Sequence, residues 1–188
     1  GMNTYDFDKT ICVKDSSVTF YKYCLKKYPA AVWRTIPATL RKAAAYIAGR
    51  ISTKELKEQL FSFLRYIDDI DSVVSDFWQE KFYMVGDWYL RQKRDDDIII
   101  SASPEFLVAP AAARLGVGLI GTVMDKKTGR ITGENCHDSE KVKRFYAQCP
   151  NAHTECFYSD SLSDSPMAEI ADKAYLVKNG TLSPWPGK

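Results

Sequence analysis

Ile98, Ile99 and Ile100 stand in a row, with Asp95, Asp96 and Asp97 before them and Ser101 after. A β-branched run this short has no polar face to turn to water, so it predicts a strand buried on both faces of a parallel sheet. The rest of the second half alternates to match. Ser103-Pro104 reads as the N-cap and first position of a helix closed by Gly116. Leu119 to Val123 reads as the next strand, and the turn Asp125 to Gly129 makes a hairpin with the segment reaching Ile131. Asp138 can cap a helix running through Phe145, Cys156-Phe157-Tyr158 is a strand, Pro166 opens a helix, and Ala174 to Val177 is the last strand.

The first half has a different rhythm. Thr4 to Phe7 is a short strand, and from Asp15 to about Lys93 the apolar period becomes helical. Val18, Tyr21, Leu25 and Tyr28 share one face; Leu56, Leu60, Phe63 and Leu64 share another after the capping box Ser52-x-x-Glu55. A third helix runs from about Asp71 through Val74, Phe77, Trp78 and Val85. Pro29 and Pro37 punctuate this stretch. Strands alternating with helices, with a long helical run after the first strand, predict an α/β fold. The expected organisation is a Rossmann-like parallel sheet built from 1–14 and 94–188, with a small helical cap, 15–93, inserted after the first strand.

The totals set bounds on this reading. With 188 residues, one core is expected. The 26 basic side chains nearly balance the 24 acidic ones, and a net charge of +2 argues for no nucleic-acid partner. Five scattered cysteines without C-x-x-C spacing suggest neither a disulfide framework nor a zinc site, and fit a cytoplasmic protein. No apolar stretch approaches the roughly 20 residues of a membrane span.

Ligands of parallel α/β sheets gather at the carboxyl ends of the strands. Asp6 and Asp8, Ser101 and Asp160 all fall there. Asp6 and Asp8, two apart on one strand, point the same way and repel unless a proton or cation compensates. A divalent ion held by few carboxylates, with water and phosphate completing its shell, is what magnesium prefers. Each residue also has a plain structural reading. Asp6 and Asp8 suit an exposed strand end with an Asx turn, Ser101 suits a cap, Asp160 and Asp164 suit caps for the helix at Pro166, and Lys141 suits a solvated helix face.

The order of these groups resembles the haloacid dehalogenase superfamily of phosphohydrolases. Asp6-Phe7-Asp8-Lys9-Thr10 matches its first motif, Ile98-Ile99-Ile100-Ser101 its second, Lys141 its third, and Asp160-Ser161-x-x-Asp164 its fourth. The helical stretch after the first strand is similar to the phosphoserine-phosphatase-like subfamily. The wording around Asp15, Ser103-Pro104 soon after the second motif, Glu140-Lys141-Val142 and Tyr158-Ser159-Asp160-Ser161 looks closest to its phosphatidylglycerophosphatase C-like members.

The resemblance implies Asp6 as nucleophile and Asp8 as general acid and base. It also implies magnesium held by Asp6, the Asp8 carbonyl, Asp160 and Asp164, and phosphate contacts from Thr10, Ser101, Ala102 and Lys141. The substrate would be a small phosphate ester: a phospholipid headgroup, or a phosphorylated amino alcohol if Asp15 meets an amine. Two departures stand out. Lys9 replaces a common glycine, and no arginine stands where the serine-specific relatives carry one, Leu60 falling nearby instead. A phosphotransferase or phosphomutase would use the same residues, and a non-enzymatic phospho-ligand binder would need a broken site. The cap is aromatic and basic, from Tyr21, Tyr23, Tyr28, Trp33 and Tyr46 among Lys22, Lys26, Lys27, Arg34, Arg41, Lys42 and Arg50. Such a stretch suits an amphipathic cap helix packed inward, or contact with an anionic membrane surface.

Overall fold

A computed structural model describes residues 1–188. Its centre is a six-stranded sheet of β1 (Met2–Tyr5), β2 (Ile98–Pro104), β3 (Gly118–Thr122), β4 (Thr154–Ser159), β5 (Lys173–Lys178) and β6 (Thr181–Pro184), in the order β3-β2-β1-β4-β5-β6. All pairings are parallel except β5 with β6, which close through a turn with Asn179 and Gly180 both at positive φ. The chain therefore passes from β1 outward to β2 and β3, then crosses back to β4 on the other side of β1. A strand order that reverses at β1 opens a crevice at its carboxyl end, the standard ligand position of such sheets.

Neighbouring residues of the isoleucine run go to opposite faces. Ile99 joins a cluster with Tyr5, Tyr158 and Val177, and Ile100 joins a second with Phe157, Phe145 and Met167. Both faces are covered, as the uninterrupted apolar run requires. The first cluster also takes in Phe20, Phe77 and Trp78 from the helices between β1 and β2, so sheet and helices there share one core. Tyr5, Tyr158 and Tyr175 lie in register across β1, β4 and β5, with successive ring centroids 4.6 and 5.2 Å apart and nearly parallel planes.

The helices after β1 are α1 (Ser16–Lys27), α2 (Pro29–Trp33), α3 (Ile36–Ile47), α4 (Thr53–Leu60), α5 (Ile70–Lys81) and α6 (Asp87–Gln92), with short 3-10 turns at Ser62–Tyr66 and Phe82–Met84. Asp15 caps α1 by accepting from the Val18 N–H, and Ser52 with Glu55 forms a complete capping box on α4. Pro29 and Pro37 stand in the first turns of α2 and α3, where the missing N–H costs nothing. Trp78 satisfies its buried indole N–H on the Leu107 carbonyl, fixing α5 to α7 (Glu105–Leu115). The 125–129 turn abuts the helical region so closely that a Cβ on Gly129 would lie 2.5 Å from the Phe61 carbonyl oxygen. Gly129 also has φ +76°, and both facts demand glycine.

Several expectations are corrected. The first strand ends at Tyr5, leaving Asp6 and Phe7 beyond it. Ser103 and Pro104 belong to β2, and α7 begins at Glu105, because β2 pairs with β3 as far as Pro104. The hairpin after β3 is reduced to one bridge between Met124 and Ile131. Val18 is half exposed, since α1 buries Phe20, Tyr23 and Cys24 instead. Asp138 precedes α8 (Ser139–Gln148) at φ 55°, and its side chain makes no cap bond.

Candidate active site

The crevice at the end of β1 receives groups from four separate segments. Asp6 anchors the first: its N–H donates to the Tyr158 carbonyl at 2.8 Å, so the residue continues the β1–β4 ladder while its carboxylate turns into the cleft. Thr10 ties this loop to the end of the neighbouring strand β4. Its hydroxyl donates to Asp6 Oδ2 at 3.3 Å and accepts from the Asp160 N–H at 2.9 Å. Lys9 sits between Asp8 and Thr10 at φ 57°, a conformation that costs a non-glycine residue roughly 1–2 kcal/mol.

Lys141 arrives from α8 and is almost completely buried. Its ammonium donates to Asp6 Oδ1 and to Asp164 Oδ2, both at 2.8 Å. Asp164 Oδ2 also accepts from the Ser159 hydroxyl at 2.7 Å. Asp164 does occupy the N-cap position of α9 (Ser165–Ile170), yet its side chain makes no cap bond there. Burial pushes the Asp6 carboxyl up, to about 7, against the pull of Lys141. Burial alone would lower the lysine, but the two carboxylates outweigh it and hold its proton well above the ordinary range. Contacts of 2.8 Å on two carboxylates decide for the ion pair, with Lys141 charged.

Asp8 faces the same space from the other side. Its Oδ1 accepts the Ser16 N–H, the first amide of α1, at 2.6 Å, and its Oδ2 accepts the Ser103 hydroxyl. Ser103 in turn lies 2.8 Å from the Ser17 hydroxyl. Burial raises the Asp8 carboxyl, the charge of Asp15 adds to this, and the bonds from Ser103 and Ser16 oppose it. Ser101 is buried, and its hydroxyl accepts the Ser103 N–H at 3.0 Å.

Asp6, Asp8, Ala102, Lys141, Asp160 and Asp164 line one cavity of about 320 Å³, with Lys9, Asp15 and His137 also on its wall. Thr10 and Ser101 stand behind this wall, holding the others. Asp15 therefore serves as both helix cap and cavity lining. Cys136 is buried away from the cavity and bonds through its N–H to Thr122. A larger cavity, about 510 Å³ between Tyr28 and Tyr66, carries none of the converging groups.

No three Cys, His, Asp or Glu side chains form a ready-made metal cluster. Magnesium needs only one or two carboxylates, with carbonyl and water oxygens completing the shell. The half-buried Asp160 carboxylate receives no hydrogen bond from another residue; desolvation raises its pKa, and the charges of Lys178 and Lys9 oppose this. The donor set of Asp6, Asp160 and the Asp8 carbonyl fits magnesium. Asp164 is engaged by Lys141 and Ser159 on Oδ2 alone, which leaves Oδ1 as a further oxygen for the same ion.

Three further participants carry no local signal, and a fourth, Ser103, reads locally as a helix cap. Ser16, Ser103, Lys57 and Asn135 meet the site only in the fold. Lys57, from α4, donates to the Ala102 carbonyl and to Asn135 Oδ1, both at 2.7 Å, and burial pulls its pKa down to about 8. Thr122 donates to the same two acceptors at 2.7 and 3.1 Å. This knot fastens α4 to the end of β2 and to the segment before α8. In the sequence Lys57 has the look of any solvated lysine in TKELKEQL, and only its long-range partners set it apart.

Comparison with known proteins bears on the family and the fold. The family profile of haloacid dehalogenase-like hydrolases matches residues 4–169. Protein CicA of Caulobacter vibrioides is 31% identical over 195 residues, covering 94% of this chain and 86% of that protein. A Bordetella pertussis Tohama I protein of unknown function superposes with TM-score 0.74 at 20% identity, covering 99% of this chain and 91% of the other. A phosphoserine phosphohydrolase-like protein from Francisella tularensis gives TM-score 0.57 at 17% identity, covering 93% and 86%. At these identities the two structures support the fold.

Proposed function

Because the chain belongs to the haloacid dehalogenase-like hydrolases, we propose that it is a magnesium-dependent phosphomonoester hydrolase whose Asp6 carries the phosphoryl group from substrate to water. The observation that supports this most is the placement of two carboxylates with different surroundings on one cavity. Asp6 lies against the Lys141 ammonium, and Asp8 lies between two neutral donors. A neighbouring cation favours the ionised form a nucleophile needs, whereas burial beside another acid favours the protonated form a general acid needs.

In this reading an Asp6 oxygen attacks phosphorus and the bond to the leaving alcohol breaks, giving an aspartyl phosphate. Asp8 gives its proton to the departing oxygen. Asp8, now ionised, takes a proton from water as that water attacks the same phosphorus and frees Asp6. Lys141 holds the Asp6 carboxylate in place and offers positive charge to the phosphoryl oxygens; Ala102, on the cavity wall, would add a backbone donor, with Ser101 behind it holding the Ser103 N–H. Asp6, Asp160 and the Asp8 carbonyl would hold magnesium, which when bound offsets charge on the phosphoryl group. Asp164 positions Lys141. The substrate is a phosphate ester small enough for the cavity, with a lipid headgroup or an amino alcohol as the candidate leaving group.

Release of phosphate from 4-nitrophenyl phosphate is expected with magnesium present and lost after chelation, then restored by added magnesium. Full activity in the presence of excess chelator would remove the metal from the proposal. Ser103 supplies a second check. Its hydroxyl stabilises ionised Asp8, so Ser103→Ala should raise the Asp8 pKa, and the limb of the kcat/KM profile that needs protonated Asp8 should extend to higher pH. Ser103→Thr should keep the wild-type profile. Identical profiles for all three would show that Asp8 is not the titrating acid.

A further inference from the structure

Residues 16 to 54 contain eight lysines and arginines and not one aspartate or glutamate, although the whole chain is nearly neutral. The structure shows what this stretch presents. Arg34 and Thr35 keep right-handed helical φ and ψ between α2 and α3, so the two helices follow one another almost without a break. Val32, Thr35 and Thr39 face inward and are buried. On the opposite side Trp33, Pro37, Leu40, Ala44 and Ile47 are all exposed, at spacings of four, three, four and three, which is one continuous helical stripe. Trp33 is 64% exposed, Leu40 66% and Ile47 86%. Arg34 and Arg41 follow directly on Trp33 and Leu40 and are exposed beside them.

An unpartnered apolar stripe edged by arginine, on a surface element without acids, has the composition of a helix that lies in the plane of an anionic bilayer. We infer that the α2–α3 stripe docks on a membrane surface rich in anionic lipid, with Trp33, Leu40 and Ile47 entering the headgroup–acyl boundary and Arg34 and Arg41 meeting phosphates. A second copy of the chain is a poorer occupant, because a two-fold contact would set this basic surface against itself. No helix is long and apolar enough to cross a membrane.

The test uses the full chain and sedimentation with large vesicles, either pure phosphatidylcholine or phosphatidylcholine with about a third phosphatidylglycerol. The wild type is expected to pellet with the anionic vesicles and to be released as salt rises. Removing one charge should weaken binding about fivefold, so the double variant Arg34→Gln/Arg41→Gln should lose on the order of twentyfold. Trp33→Ser/Ile47→Ser should lose at least as much while retaining its charge. Both variants alter exposed side chains outside the active site, so hydrolysis of a soluble aryl phosphate should remain that of the wild type; the serine variant should also keep the wild-type thermal midpoint, while the arginine variant loses only the contact of Arg34 with the Tyr66 ring. Absence of wild-type binding to anionic vesicles at low salt would overturn the inference. Equal binding by Trp33→Ser/Ile47→Ser would also overturn it, by reducing the contact to simple charge adsorption. So would a concentration-dependent dimer, measured by light scattering, that the same serine variant abolishes.

Discussion

Asp6→Asn is expected to yield a folded protein without steady-state turnover, its rate lower on the order of ten-thousandfold or more, the scale seen when a covalent nucleophile is removed. An amide keeps the shape of the side chain, still accepts from Lys141 and leaves the Asp6 N–H on the Tyr158 carbonyl. It does not form a stable phosphoryl adduct as a carboxylate does. Two measurements check this: phosphate release by the purified variant, and acid-quenched peptide mapping of the wild type mixed with substrate. The wild type should show phosphate on the peptide containing Asp6, and the variant should show none. Turnover by Asp6→Asn near the wild-type rate, in preparations free of deamidated protein, would refute covalent catalysis at this residue. A phosphorylated peptide elsewhere would move the nucleophile.

How much of this could be read in the sequence depended on the range of the interaction. The isoleucine run was decisive because burial on both faces leaves no polar position, and the structure divides Ile99 and Ile100 between two cores as that implies. Local caps were equally legible: Asp15 on α1 and the Ser52–Glu55 box act within one helical turn. Strand ends were not, because they depend on what lies alongside. Ser103-Pro104 has the residues of a helix start, yet β3 pairs with β2 through Pro104 and delays the helix. The position of Lys141 followed from motif order, but its two carboxylate partners lie 135 and 23 residues away in sequence, and no local signal announces them. The Ser103–Asp8 contact spans 95 residues and involves a serine first read as a cap. Lys57 shows the same limit from the other side: an ordinary amphipathic helix pattern places it, and only the approach of Ala102 and Asn135 turns it into an internal tie.

Lys141→Met should be the most destabilising single change at the site, costing about 3–5 kcal/mol near neutral pH, because removing one partner of a buried ion pair leaves the other charge uncompensated. Methionine fills much of the lysine stem's volume, so little of this loss comes from a cavity. What remains is Asp6 and Asp164 facing each other without the ammonium that lay 2.8 Å from both. The pH dependence separates this cause from poor packing. Loss of the cation raises the Asp6 carboxyl above the value of about 7 it has with Lys141 present. A carboxyl whose folded pKa is higher than its unfolded one loses stability as pH rises between the two. Because the wild-type Asp6 carboxyl already titrates near 7, the deficit of the variant, read from urea unfolding midpoints, should stay nearly level from pH 4 to about 6 and grow as pH passes 7 toward 8. Adding Asp6→Asn should recover part of it, since one of the stranded charges is then gone. A deficit that stays constant from pH 4 to 8, with no recovery in the double variant, would mean that Lys141 contributes packing and not charge. The central premise of the proposed nucleophile, an Asp6 carboxylate kept ionised by a buried ammonium, would then fail.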